Sequence, residues 1–167
     1  MLSEVYLMCS LPSLSFGQSP PIAMEEFREM ARNQLSARQF KVLEKISIQD
    51  MNGKAGKHRI KSVKEMLDGL QADLIKIRKA HAARQQPKPD QLPASALEEN
   101  PLDRELQIMR WQWEKLDAIT VGKAFTLSDV VVYKMKLELL FRTMSFDAEK
   151  GASVMSSVFK PSKKKEV

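Results

Sequence analysis

The chain has 167 residues, with 43% hydrophobic and 29% charged side chains, close to the globular averages of about 45–50% and about 25%. That balance excludes wholesale disorder and a fibrous repeat, and at about 150 residues per domain the length allows one domain or little more. Lys and Arg outnumber Asp and Glu by 27 to 21, giving a net charge of +6. Only six glycines stand against ten methionines and much Ala, Leu, Glu and Lys, a mixture that favours helices over sheets with many tight turns.

The opening MLSEVYLMCSLPSLSFG puts Glu4 where a signal peptide needs positive charge, so export is not expected. Residues 4–11 (EVYLMCSL) read as a short extended segment or weak strand ended by Pro12. Cys9 has no second cysteine to pair with, and Leu7, Met8 and Leu11 around it predict a small buried side chain in a reducing compartment. After Pro20-Pro21, the apolar residues Ile22, Phe27, Met30 and Ala31 predict a helix over about 22–33, with Glu25 and Glu26 in the first turn where the dipole favours anions. Ser36 and Gln39 form a capping box that opens a helix over about 37–49.

DMNGKAGKHRIK is a loop, and Ser62 with Glu65 supplies a second capping box for a third helix. Its stripe runs Val63, Met66/Leu67, Leu70, Leu74, Ile77 and His81, and Gly69 inside it costs about 1 kcal/mol relative to alanine. Residues 85–100 contain three prolines and no periodicity, which marks a linker or long surface loop. Asn100 followed by Pro101 opens a fourth helix whose Leu102, Leu106, Met109, Trp113 and Leu116 form a core seam. Thr126 with Asp129 is a third capping box, before a helix with Val130, Tyr133, Leu137, Leu140/Phe141 and Met144 on a broad apolar face. Asp147 can cap a last helix with Val154, Met155, Val158 and Phe159, and a basic tail follows over 161–167. The expected fold is an all-α bundle of five to six helices in two sub-bundles, at 1–84 and 101–160, joined by the Pro-rich 85–100.

No catalytic or metal constellation is readable. Cys9, His58 and His81 lack metal-ligand spacing, and no Gly-x-Ser-x-Gly elbow is present. Gly53-Lys54-Ala55-Gly56-Lys57-His58 fails as a phosphate loop, because Met51 replaces its first glycine and His58 its Ser or Thr. No cofactor and no metal are therefore expected. Charge is the stronger signal: Lys54 to Pro89 holds ten basic residues against three acidic ones. Such a stretch suits an acidic partner, a phosphate surface or a membrane face, or is a solvated helix face. Lys54, Lys57, Arg59 and Lys61 are its candidate contacts. It contains no aromatic residue to stack on bases, so nucleic acid is not the expected partner. Arg110 and Trp111 form a second candidate surface if Trp111 faces outward from the seam, the equal alternative being that Trp111 packs against a neighbouring helix.

Asn100-Pro101-Leu102-Asp103-Arg104-Glu105, Trp111, Ala124-Phe125-Thr126-Leu127, Tyr133 through Arg142 and Asp147-Ala148-Glu149-Lys150-Gly151 follow one another in an order that resembles a bacterial family encoded among V-type ATPase subunits. Tyr6-Leu7, Leu11 through Phe16, Pro20-Pro21-Ile22 and Glu25-Glu26-Phe27 resemble that family's opening segment. More distantly, the C-terminal pattern resembles the all-helical, funnel-shaped subunit that seats the central stalk on the membrane rotor ring in V- and A-type ATPases, with Glu138 and Arg142 at that family's acidic and basic positions. The resemblance implies a non-catalytic subunit or accessory protein that couples the central stalk to the rotor ring in proton or sodium transport. Its partners would be other V-type ATPase subunits, and its place the cytoplasmic face of the membrane, peripheral and without a transmembrane segment. The alternative is a basic helical module binding nucleic acid or an anionic membrane surface. By spacing alone, Glu138 and Arg142 can form an i,i+4 ion pair.

Overall fold

The computed structural model describes residues 2–49, 60–97, 100–122 and 124–146. These form six α-helices: α1 (Leu2–Ser10), α2 (Met24–Gln34), α3 (Ala37–Lys45), α4 (Lys61–Ala82), α5 (Pro101–Thr120) and α6 (Leu127–Met144), with a short 3-10 helix at Ala94–Leu97. The fold is an all-α bundle, and no strand occurs among the described residues. The expected helix over 147–159 and the basic tail lie outside the described residues.

The N-terminal segment is a helix, not an extended strand. Leu7 is fully buried, with Met8 and Leu11 packed against the core, while Val5 and Tyr6 face solvent. The inward set therefore follows helical spacing, and this packing overrides the β preference of Val5 and Tyr6. Cys9 falls on the outer side and is exposed rather than buried.

Two of the expected starts form as read. The Ser36 hydroxyl accepts from the Gln39 N–H at 3.3 Å while Gln39 Oε1 accepts from the Ser36 N–H at 3.0 Å. The Asn100 side chain accepts from the Leu102 N–H at 3.1 Å, with Pro101 in the first turn. By contrast, α4 begins at Lys61 with Ile60 at the N-cap, so Ser62 and Glu65 sit inside the helix and cap nothing. Asp129 accepts from the N–H of Phe125 at 3.1 Å, which holds Phe125 in a left-handed conformation (φ 60°) that a bulky residue rarely adopts.

The core is one cluster that draws on every helix. At its centre is α6, which buries Val130 to Met135, Leu137, Leu139 and Leu140. A helix covered on so many sides occupies the middle of a bundle, and α6 packs against α1, α2, α3 and α5. The halves expected on either side of residues 85–100 thus share their apolar interior. Phe141 and Met144, expected on the buried face of α6, are 39% and 58% exposed at its C-terminal end.

Residues 90–97 are tied down. Asp73 of α4 is 1% exposed. Its carboxylate accepts from the backbone N–H groups of Asp90 at 2.9 Å, Gln91 at 2.7 Å and Leu92 at 2.9 Å. Lys76 pairs with Asp90 alongside, and Leu92 and Ala96 are buried. Burial pushes the Asp73 carboxyl up, but the three N–H donors and the Lys76 charge outweigh it and hold the group below the usual carboxylate range.

Candidate functional site

The antiparallel arrangement of α4 and α5 positions the candidate site. The start of α4, at Ser62, Glu65 and Met66, faces the end of α5 across a shallow hollow that reaches Val121. The second half of α4 faces the first half of α5 across an open cleft of about 770 Å³. Leu70, Leu74 and Ile77 of α4 and Ile108 of α5 supply its apolar wall, with Ala96 of the 3-10 helix between them. Arg78 and His81 near the end of α4, Arg104 near the start of α5, and Arg142 near the end of α6 line the same cleft. The helix directions place all four basic side chains toward one end.

Glu105 is the acidic residue described on this lining, and it accepts a hydrogen bond from Arg142. Neither the Arg78 nor the Arg104 guanidinium has an ion-pair or hydrogen-bond partner among the described residues. The cleft therefore has a positive end that its own carboxylate only partly offsets. Deeper along α5, Gln112 is 5% exposed and lines the cleft. Its amide makes no hydrogen bond among the described residues, yet no side-chain polar atom sealed from solvent there lacks a partner. The amide consequently opens onto the cleft, with both donor and acceptor capacity unused.

Of the residues expected at a partner surface, Lys54, Lys57, Arg59 and the His58 loop lie outside the described residues. Lys61 is exposed and lies 3.7 Å from Glu65. Arg110 is exposed, with its guanidinium 5.5 Å from the Phe16 ring centroid. Trp111 does not face outward: it is 6% exposed, because α5 is covered on two faces, by α6 and by α4 with the 3-10 helix. It therefore offers no protruding anchor. His81 is exposed rather than part of the apolar stripe.

Glu138 and Arg142 do not pair with each other in the structure. Lys134 is 2% exposed; its ammonium donates to the carbonyls of Leu43 at 2.9 Å and Ile46 at 2.7 Å and lies 3.5 Å from Glu138. Glu138 in turn accepts from the Ser47 hydroxyl at 3.0 Å and the Ile48 N–H at 2.8 Å. The ammonium thus meets the negative end of the α3 dipole while the carboxylate fastens the chain that leaves it. This unit positions Ile48 and Gln49, which line the cleft, and Arg142 joins the cleft through Glu105.

Arg78, Arg104 and Gln112 were not singled out by sequence reading, although Arg104, Ile108 and Gln112 recur at the four-residue spacing of one helical face. Elsewhere, Glu4 is held down to about 2 by the Ser3 hydroxyl and its own backbone N–H. Burial pushes the Tyr133 phenol up to about 12. Neither group lines the cleft. Among the described residues, no three His, Cys, Asp or Glu side chains gather to hold a metal ion. No family model, curated protein or solved structure matches the chain.

Proposed function

We propose that the protein is a non-catalytic component or assembly partner of a bacterial V-type ATPase, acting at the cytoplasmic face between central stalk and rotor ring in the manner of the stalk-seating subunit. One observation carries the reading: the separate stretches that bear the resemblance pack against one another. The Tyr133 hydroxyl donates to the Pro12 carbonyl at 2.9 Å, and the Phe27 ring stacks on Tyr133 with centroids 5.5 Å apart. Arg142 likewise pairs with Glu105. Residues far apart in the chain that match one pattern and also meet in space support a shared fold unit over a chance likeness.

Two further features agree with this reading. No helix among the described residues is long and apolar enough to cross a membrane, as a peripheral component requires. The helices share one continuous apolar core, through which load can pass from one partner to another. The test is co-purification from cells that express the tagged protein beside the V-type ATPase subunits. Recovery of stalk or catalytic subunits at constant ratio supports the proposal, and their repeated absence from mildly solubilised membranes refutes it.

A further inference from the structure

From the cleft between α4 and α5 we infer a binding site for a small amphipathic carboxylate, with the acid at the arginine end and a hydrogen-bonding group on the far end of an apolar body. The inference stands apart from the V-type ATPase reading, because it concerns a free ligand and a site that any assembly partner could leave open. Its volume of about 770 Å³ falls within the roughly 300–1,000 Å³ typical of small-molecule sites.

Each part of the ligand answers a part of the cleft. Arg78 and Arg104 are guanidinium forks without a carboxylate among the described residues, and such forks match a carboxylate in charge and geometry. Leu74, Ile77 and Ile108 form the apolar wall beside them. Gln112 supplies the second polar point: it is almost sealed from solvent, its amide is unpaired, and it opens onto the cleft. The amide bonds to nothing within the chain and is open to the cleft, so a ligand hydroxyl or carbonyl there would find both a donor and an acceptor already in place. Arg104 and Gln112 both line the cleft, and eight residues of helix separate them by about 12 Å. A bifunctional chain such as ω-hydroxydecanoate is of comparable extended length.

Titration calorimetry on the full chain, below the micelle threshold, tests this with ω-hydroxydecanoate and decanoate as probes. The expected result is saturable binding of both, with the hydroxylated chain preferred about fivefold through the added hydrogen bond. Gln112→Leu should abolish that preference while keeping the decanoate affinity. Arg104→Glu and Arg78→Glu should each weaken both probes about tenfold or more. Arg78 is exposed and Arg104 half-buried, and neither guanidinium has a bond within the described residues to lose, so circular dichroism melts should stay close to the parent and separate a lost site from a lost fold. Absence of saturable binding, or affinities unchanged in Arg104→Glu, would overturn the inference. So would tighter capture of a short Glu/Leu peptide than of either carboxylate, since that outcome assigns the cleft to a protein partner. Failure of the V-type ATPase co-purification would leave this titration unaffected.

Discussion

Lys134 on α6 and Gln112 on α5 are almost equally sealed from solvent, at 2% and 5% exposure, yet their surroundings are opposite. The Lys134 ammonium has two carbonyls and a carboxylate around it, and that carboxylate has two donors of its own. Gln112 has an amide with no bond among the described residues and a cleft in front of it. A buried polar group whose bonds close within the chain holds the fold together, whereas one whose bonds are left open marks space for something else. The variants below test that distinction.

The largest expected effect is at Lys134. Lys134→Met retains the aliphatic bulk but leaves Glu138 without its cation and the Leu43 and Ile46 carbonyls without their donor. Breaking a buried pair from one side costs about 3–5 kcal/mol, which urea unfolding would show as a lower midpoint. A cost under about 1 kcal/mol, the size of an exposed pair, would mean that the network is wet.

Asp73 is the second closed network and comes next. Asp73→Asn keeps the shape but exchanges a carboxylate facing three N–H donors for a neutral amide with one acceptor oxygen, at about 2–3 kcal/mol. Its folded carboxyl lies below the usual range. The stability it contributes is therefore complete above the unfolded value of about 3.9 and is lost as pH falls through the folded value. Unfolding measured from neutral pH downward should show a shallower acid loss in Asp73→Asn than in the parent. Equal slopes would show that other carboxylates carry the acid sensitivity.

Gln112→Leu is the counter-case, because the side chain it removes has no internal bond to lose. Replacing an amide that bonds to nothing within the chain and reaches solvent through the cleft with an apolar group of similar size should move stability by less than about 1 kcal/mol. A loss above about 2 kcal/mol would mean that the amide is bonded after all, and the difference between the two regions would collapse.

The same distinction explains what sequence reading could reach. Ser36 with Gln39, and Asn100 with Pro101, were legible because a cap is satisfied within three residues and needs no tertiary partner. Much of the core stripe on α4 was also legible, since Val63, Met66, Leu67, Leu70 and Ile77 follow one helical period. Asp73 was not, because its partners at 90–92 lie in a stretch whose prolines resemble a free linker. Trp111 was left between an outward surface and a neighbouring helix because α5 buries two faces, and the second becomes visible only once α4 and residues 94–97 are seen beside it. The cleft was hidden for the same reason. Arg104 and Gln112 look like an outer polar stripe until α4 covers their flank.

The smallest effect lies at Gly69, where the tether held by Asp73 crosses α4. Glycine inside a helix costs roughly 0.5–1 kcal/mol relative to alanine, so its presence calls for a local reason. A Cβ built there would fall 2.6 Å from Cδ and Oε1 of Gln91 and would also meet Nε2. Those atoms are the end of a flexible, exposed side chain, whereas the Gln91 backbone N–H is fixed by Asp73. Gly69→Ala should therefore push the Gln91 amide into solvent without moving the tether, and the gain in helix propensity should leave a net stabilisation of about 0.5 kcal/mol. Gly69→Ala combined with Gln91→Ala removes the obstruction and should recover the full propensity gain of about 1 kcal/mol. A single variant that loses more than about 1 kcal/mol, rescued by Gln91→Ala, would show that the Gln91 amide is as firmly held as the backbone beneath it. The tether would then count with Lys134 among the closed networks along its whole width.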